Sequence, residues 1–406
     1  MKKSKSKKSK WIKPHHQIVR DLVNLVLYPY SRIKYGLRVE KLKEGRDRQY
    51  LVLYNHQTAF DQFFVGMPFR KHLYYVASED LFSNGFVSKL IKFLVEPIPI
   101  KKQSTDVRAI MTCIKVAKEG GSIAIAPEGN RTYSGKTEYM SPSIVPLARK
   151  LGLPIAICRI EGGYGVHPRW SDVVRRGKMV SRISKIVEPE VYAPMTDDEL
   201  FRLISDELYV NEAKADRVFK HKRSAEYLER AIYICHGCGL SEFESHGDTL
   251  TCKRCGRSVQ YTEKKELLEN GKPFVFNFVS DWYDYQKDFI RKLDITPYLE
   301  KSMYQDKVSV KEVIPYKRKQ PVFDSADISL YANRIEIFSG EERMCLPFDE
   351  VSSIAVLGKN KLNIYIGGKV YQFKGSKRFC ALKYVHIYYK YVNVKNGEPD
   401  GEFLGL

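Results

Sequence analysis

The sequence predicts an α/β fold: a largely parallel sheet layered with helices, then a small four-cysteine module, then a β-rich module closed by a helix. Three observations predict it. Short apolar runs alternate with helix-spaced stretches between residues 50 and 210. Two Cys-x2-Cys pairs follow, separated by thirteen residues. From Asp327 onward the pattern changes to short β runs. The resulting division is a basic tail (1–15), an α/β domain (16–215), a cysteine ribbon (228–264), a connector (265–325) and a β-rich module (326–406).

Each element has its own signal. Leu51-Val52-Leu53-Tyr54 and Leu73-Tyr74-Tyr75-Val76-Ala77 are apolar runs of strand length. Thr105 to Glu119 carries Val107, Ile110, Met111, Ile114 and Ala117 at helical spacing, and Gly120-Gly121 stops it. Ser122-Ile123-Ala124-Ile125-Ala126 reads as a buried strand. Ser141-Pro142 opens a helix with a capping hydroxyl and a proline at its first position. Pro154 to Ile160 is the next strand, and Thr196-Asp197-Asp198-Glu199 starts a helix with acids at its positive end. Phe274 to Leu293 reads as an aromatic, helical connector. Strands are expected at 329–332, 334–338, 354–357, 361–366 and 369–373, with Gly367-Gly368 as a hairpin turn, and a final helix from Ser376 to Tyr391.

Lys and Arg number 68 against 48 Asp and Glu, a net charge of +20 in 406 residues. That balance favours anionic partners such as phospholipid surfaces or phosphorylated substrates. The lysine-rich start, Met1 to Lys10, has nothing apolar to bury, and no long apolar stretch follows as a signal peptide requires. Ile18 to Tyr30 places Ile18, Val19, Leu22, Val23, Leu25 and Val26 near one helical face. It is too short to span a bilayer, which needs ~20 apolar residues. It fits either a helix lying in the membrane interface or one packed on the domain core.

Two loops carry the chemistry. The first, Asn55-His56-Gln57-Thr58-Ala59-Phe60-Asp61, follows the first strand and sets a histidine and an aspartate five positions apart. Thr58 to Asp61 has the form of a capping box, with Thr58 as N-cap. A carboxylate held there can accept a hydrogen bond from one ring nitrogen of His56 and leave the other free as a base. The second loop, Pro127-Glu128-Gly129-Asn130-Arg131, follows the buried strand at 122–126. Arg131 can grip a phosphate bidentately, Glu128 can orient Arg131 or bind hydroxyls, and Gly129 allows a turn. Gly162 to Lys178, with Arg169, Arg175, Arg176 and Lys178, reads as a flexible, basic stretch, foremost a solvated charged loop and alternatively one lying near an anionic substrate or membrane.

Taken together, the first loop resembles the Asn-His-x-(Ser/Thr)-x-x-Asp motif, and the second the Pro-Glu-Gly-Thr-Arg motif, of the glycerolipid and lysophospholipid acyltransferases. The resemblance covers roughly residues 16 to 210 and implies that family's layered α/β fold. It implies acyl transfer from acyl-CoA or acyl carrier protein to a lysophospholipid acceptor, with lysophosphatidate giving phosphatidate. His56 would be the base and Asp61 its orienting partner; Asn55, Thr58, Glu128, Gly129, Asn130 and Arg131 would bind substrate. Lys101 and Lys102 stand where the family carries an arginine, and Asn130 where it carries threonine. A lysine there binds phosphate as a point charge without the planar fork, which keeps other lipid acceptors open.

Cys235, Cys238, Cys252 and Cys255, each pair followed by a glycine, give the pattern of a four-thiolate zinc ribbon with structural Zn2+. His236 and His246 are alternative ligands, and a redox dithiol is an alternative reading. The β-rich module weakly resembles a pleckstrin-homology-like fold. The scattered remaining cysteines suit a reducing cytoplasm. The expected location is the cytoplasmic face of a membrane, peripheral on anionic phospholipid, with nucleic acid not expected as a partner. A non-catalytic basic adaptor explains the charge and the ribbon but gives no reason for the paired loops.

Overall fold

The computed structural model describes residues 10–83, 85–100, 106–314 and 319–403. Lys101 and Lys102 lie outside the described residues, as does the tail at 1–9.

The first part of the chain runs α1 (Pro14–Tyr35), β1 (Leu37–Val39), β2 (Leu51–Tyr54), α2 (Asp61–Gly66), β3 (Leu73–Ser78), α3 (Phe86–Val95), β4 (Ile98–Ile100) and α4 (Val107–Lys118). It continues β5 (Ser122–Ile125), α5 (Ile144–Leu151), β6 (Ile155–Glu161), α6 (Gly163–Val166), β7 (Met179–Val187), α7 (Pro189–Tyr192) and α8 (Asp197–Leu208). Its seven strands form one sheet in the order β1-β7-β6-β2-β5-β3-β4. Every pairing is parallel except β6 with β7. The sheet is covered on both faces, so its central strands β2 and β5 are apolar runs rather than alternating. Leu51, Leu53, Ile123, Ile155 and Ile157 point to one layer, against Cys113, Val116, Ala148, Leu200 and Ile204. Val52, Tyr54, Ala124, Ala156 and Cys158 point to the other, against Tyr35, Phe64 and Val65. Each fully buried aliphatic side chain contributes roughly 1.5–3 kcal/mol.

Local signals set several boundaries. Asp106 caps α4 through the N–H groups of Arg108 and Ala109, at 3.0 and 3.1 Å. Thr196 and Glu199 form the reciprocal capping box that opens α8. Two expected starts are displaced. Helix α5 begins at Ile144, so Ser141-Pro142 forms the turn before it rather than its first residues. Helix α2 begins at Asp61 with Phe60 as N-cap, because the Thr58 hydroxyl turns to Asp61 and to the Phe60 N–H.

Along α1 the apolar face points outward. Ile18, Leu22, Leu25, Val26 and Ile33 are exposed, as are Phe86, Val87, Leu90 and Phe93 on α3. Val19 and Val23 turn instead into the cleft described below. Among the described residues no helix is long and apolar enough to cross a membrane.

The middle of the chain holds β8 (Ile234–Cys235), β9 (Gly239–Leu240), β10 (Phe243–His246), β11 (Thr249–Cys252), β12 (Ser258–Tyr261), β13 (Glu266–Glu269), β14 (Lys272–Phe278) and α9 (Val279–Lys292). The strands β10 to β14 form one antiparallel sheet. The expected helical stretch 274–293 is therefore split: its first residues extend β14, and the helix starts at Val279.

The last part is β15 (Tyr304–Glu312), β16 (Gln320–Leu330), β17 (Arg334–Ser339), β18 (Glu342–Pro347), β19 (Val351–Leu357), β20 (Lys361–Ile366), β21 (Lys369–Gly375) and α10 (Leu382–Lys395). Its strand order is β18-β17-β16-β15-β21-β20-β19, all antiparallel. Gly367 and Gly368, at φ 56° and 73°, make the two-residue turn between β20 and β21. Helix α10 starts at Leu382, six residues later than expected. One buried cluster joins Tyr133, Tyr164 and Trp170 of the first part to Phe243 and Leu250 of the ribbon and to Ile337, Ile364 and Tyr384 of the last.

Candidate active site

Strands β2 and β5 are parallel neighbours, with Leu53 opposite Ile125. Their C-terminal ends therefore open on the same edge of the sheet, and the two motif loops leave side by side. Two hydrogen bonds stitch them. The His56 N–H donates to Glu128 Oε1 at 2.9 Å, and the Thr132 N–H donates to the His56 carbonyl at 3.1 Å. Gly129, at φ 69°, turns the second loop back so that its N–H reaches the Ala126 carbonyl.

Asp61 is fully buried and accepts four hydrogen bonds. Its Oδ2 takes the N–H of Gln57 at 2.6 Å, the N–H of Thr58 at 2.8 Å and His56 Nδ1 at 2.8 Å; its Oδ1 takes the Thr58 hydroxyl at 2.6 Å. The carboxylate fixes the imidazole with Nδ1 as donor, leaving Nε2 as the free acceptor. Burial lowers the His56 pKa below its ordinary value; Asp61 opposes this, and the Arg131 and Arg169 cations add to it. The ring is 23% exposed, enough to meet a substrate.

Asn55 and Thr58, expected among the substrate-binding residues, are wholly buried and do not line the cleft. Asn55 clamps the end of β6 instead, donating to the Ile160 carbonyl at 2.9 Å and accepting the Ile160 N–H at 2.7 Å. Thr58 spends its hydroxyl on Asp61. Both position the loop rather than face a ligand.

Glu128, Gly129, Asn130 and Arg131 line the same cleft as His56. Burial pushes the Glu128 carboxyl up to about 8, against the backbone N–H groups of His56 and Glu138 that it accepts. No ion pair joins Glu128 to Arg131 among the described residues, so Glu128 holds the first loop rather than orienting Arg131. Burial brings Arg131 down to about 10, helped by the neighbouring Arg169 cation, and it remains charged at neutral pH. Its Nη1 is buried with no hydrogen-bond partner. Such a donor invites an anionic oxygen.

The cleft measures about 1220 Å³ and is walled by both ends of the chain. On one side lie Val19, Val23, Ile91, Leu94, Ile110 and Cys113; on the other lie Tyr283 and Lys287 of α9 with Tyr388 and Tyr389 of α10. The second wall had no sequence signal, because it is made by residues more than 150 positions from the motifs. The basic loop expected to be solvated is also different. Arg169 and Arg175 are 2% and 1% exposed, and only Arg176 and Lys178 face solvent. Arg175 lies between Trp170 and Tyr261, 4.8 and 4.9 Å from their ring centres.

Away from the cleft, the sulfurs of Cys235, Cys238, Cys252 and Cys255 all lie within 4.8 Å of one another. Cys235 and Cys255 are 3.7 Å apart, Cys238 and Cys252 3.6 Å. Four sulfurs about 2.3 Å from one centre form a tetrahedron with edges of about 3.8 Å, so the donor set fits a four-thiolate metal site. His236 and His246 are not part of the cluster.

The mostly parallel sheet carries a His–Asp pair and a half-buried arginine at one edge; residues 36–161 match the acyltransferase family model, and this segment is an acyltransferase domain. It is similar to the 1-acyl-sn-glycerol-3-phosphate acyltransferase LPAT1, chloroplastic, of Arabidopsis thaliana, at 21% identity over 162 residues. That match covers 39% of this chain and 44% of the relative, so the chain spans less than half the length of the curated relative it matches. Among solved structures, the 1-acyl-sn-glycerophosphate (LPA) acyltransferase PlsC from Thermotoga maritima aligns at 22% identity and TM-score 0.40, covering 49% of this chain and 81% of that one. The N-terminal PH domain of human ARAP2 aligns at 15% identity and TM-score 0.19, covering 22% of this chain and 81% of that one. At these scores neither structure defines a fold for this chain.

Proposed function

We propose that the chain moves a fatty acyl group from acyl-CoA or acyl carrier protein to the free hydroxyl of lysophosphatidate, giving phosphatidate. The observation that carries the reading is one cleft lined both by His56, paired to Asp61 at 2.8 Å, and by the half-buried Arg131, whose Nη1 is buried without a hydrogen-bond partner. The domain match and the activity for which the relative is named support it.

His56 Nε2 takes the proton of the acceptor hydroxyl as its oxygen attacks the thioester carbonyl. Asp61 stabilises the imidazolium that forms. The carbon–sulfur bond then breaks, and the leaving thiolate recovers the proton from His56. Arg131 holds the acceptor phosphate in the cleft, with Asn130 and Gly129 beside it; Lys101 and Lys102 would add positive charge to the same headgroup. Glu128 keeps the two loops in register.

The four cysteines would hold a structural zinc ion, which fastens a module too small to build its own core. The exposed apolar face of α1, with the basic tail, would lie on an anionic phospholipid surface. On this reading the protein would be a peripheral enzyme on the cytoplasmic face of a membrane. We read 16–215 as the acyltransferase domain and 228–264 as the start of the ribbon module; because β14 ends that module's sheet at Phe278 and β15 opens the last sheet at Tyr304, the expected connector 265–325 shortens to 279–303 and the pleckstrin-homology-like module expected at 326–406 widens to 304–406.

The test is conversion of lysophosphatidate by the purified chain on anionic vesicles, with labelled acyl-CoA and acyl carrier protein supplied in turn. Labelled phosphatidate is the expected product. Transfer only to a phosphate-free acceptor would overturn the assignment of Arg131.

A further inference from the structure

We propose that Arg169 is a positioning residue for Arg131, and that through it the C-terminal sheet forms part of the acceptor-phosphate site. The inference rests on the reading of Arg131 given above.

Arg169 lies outside the segment matched to the acyltransferase family and is 2% exposed. Its guanidinium reaches three carbonyls in two parts of the chain. Nη1 donates to the Arg131 carbonyl at 2.8 Å, Nη2 to the Val356 carbonyl at 3.0 Å, and Nε to the Gly358 carbonyl at 3.1 Å. The guanidinium also stacks on Tyr133, 4.3 Å from the ring centre. Only a planar fork of donors serves three divergent acceptors in this way.

The geometry at Arg131 is specific. The peptide unit joining Arg131 to Thr132 is held at both polar ends: Arg169 binds its oxygen, and the His56 carbonyl accepts its N–H. Its plane is therefore fixed relative to the base. The Arg131 side chain leaves from that fixed peptide, so its direction relative to His56 depends on Arg169. Without Arg169 the oxygen end is released and a buried carbonyl loses its donor.

The far end of the link is anchored as well. Asp172, three residues on, accepts from Arg230 at 2.9 Å and Lys359 at 3.0 Å. Arg230 also donates to the Trp170 carbonyl at 2.8 Å and to the Lys377 carbonyl at 2.6 Å. The 169–172 segment thus cannot shift without moving the β19–β20 turn at Gly358 and Lys359.

The test is a double-mutant cycle on the full chain, read as the Kd of sn-glycerol 3-phosphate by calorimetry. Arg169→Lys keeps the charge but cannot span three carbonyls. It is expected to weaken binding about tenfold, the worth of roughly one such hydrogen bond. Added to Arg131→Ala, it should weaken binding no further, because its effect passes through Arg131. Parental affinity in Arg169→Lys, additive losses, or no binding by the parent would each overturn the proposal. If Arg169→Lys does not fold, Lys359→Met frees the same turn from Asp172, and about a threefold loss is expected; unchanged affinity overturns the proposal.

Kinetics separates positioning from a merely structural role. Arg169→Lys should raise the KM for lysophosphatidate about tenfold and leave transfer to a phosphate-free monoacylglycerol within about twofold. An equal fall with both acceptors overturns the proposal. A coupled binding cycle in a parent that forms no phosphatidate would instead sink the proposed reaction and leave the role of Arg169 standing.

Discussion

Asp61→Asn isolates charge from geometry at the catalytic pair. The buried carboxylate organises three backbone and side-chain donors besides His56. An asparagine oxygen at the Oδ2 position keeps the N–H groups of Gln57 and Thr58, and the Thr58 hydroxyl can rotate to accept from the new amide. The loop should therefore stay folded. The loss is electrostatic: with His56 Nδ1 2.8 Å from Asp61 Oδ2, the delocalised charges of imidazolium and carboxylate are centred roughly 4 Å apart, worth about 4 kcal/mol at an effective dielectric near 20. That is roughly a thousandfold in kcat. The assay is thiol release from acyl-CoA in the presence of lysophosphatidate, beside a thermal melt. We expect kcat to fall about a thousandfold with KM within about threefold and the melting temperature within a few degrees. A variant that keeps more than about a tenth of parental kcat would refute the claim that Asp61 supports a charged intermediate on His56.

Other expectations follow from the same contacts. Asn55→Ala leaves the Ile160 N–H and carbonyl without partners at a fully buried position, and should cost about 2–4 kcal/mol in urea unfolding. Burial holds His72 down to about 4 from 6.5, so between those pH values the unfolded chain binds the extra proton and stability rises with pH. His72 should contribute about 3 kcal/mol above pH 6.5 that is lost as the pH falls toward 4; flat stability over that window would contradict its burial. Because His56 is lowered from 6.5, chiefly by burial, the acid limb of kcat/KM should fall below pH 6.5. Chelation, or Cys252→Ser, should release one equivalent of zinc by elemental analysis and loosen the sheet β10 to β14; no metal in the freshly purified chain would remove the ribbon assignment.

Much of this architecture was legible in the sequence, for physical reasons that also explain the misses. The strands β2, β5 and β6 are buried on both faces, so each appears as an unbroken apolar run. The loops after β2 and β5 could be paired because parallel neighbours open at one edge. The capping box at Thr196 is local and was visible. The strand β15 was not, since only Tyr304, Val308 and Val310 of its nine residues are buried apolar side chains and the polar Gln305, Lys307, Ser309 and Lys311 fill the alternate positions. The Thr58–Asp61 contact is local and was readable as a capping box, but the roles of Asn55 and Arg169 were hidden. Their partners Ile160 and Gly358 are set by the tertiary fold, and a polar side chain facing a cleft carries the same letter as one facing a buried carbonyl. Arg169 sits among other basic residues, a composition that reads as solvated until the carbonyls of β19 and its turn close over it.

The most direct test of the central claim is acyl transfer to lysophosphatidate by the parent and by His56→Ala, on anionic vesicles at pH 7.5. A base at this position supplies about two to four orders of magnitude. The account predicts phosphatidate from the parent and a fall of that size in the variant, with lysophosphatidate binding retained through Arg131. Equal rates in the two proteins would mean that His56 is structural and would contradict the mechanism.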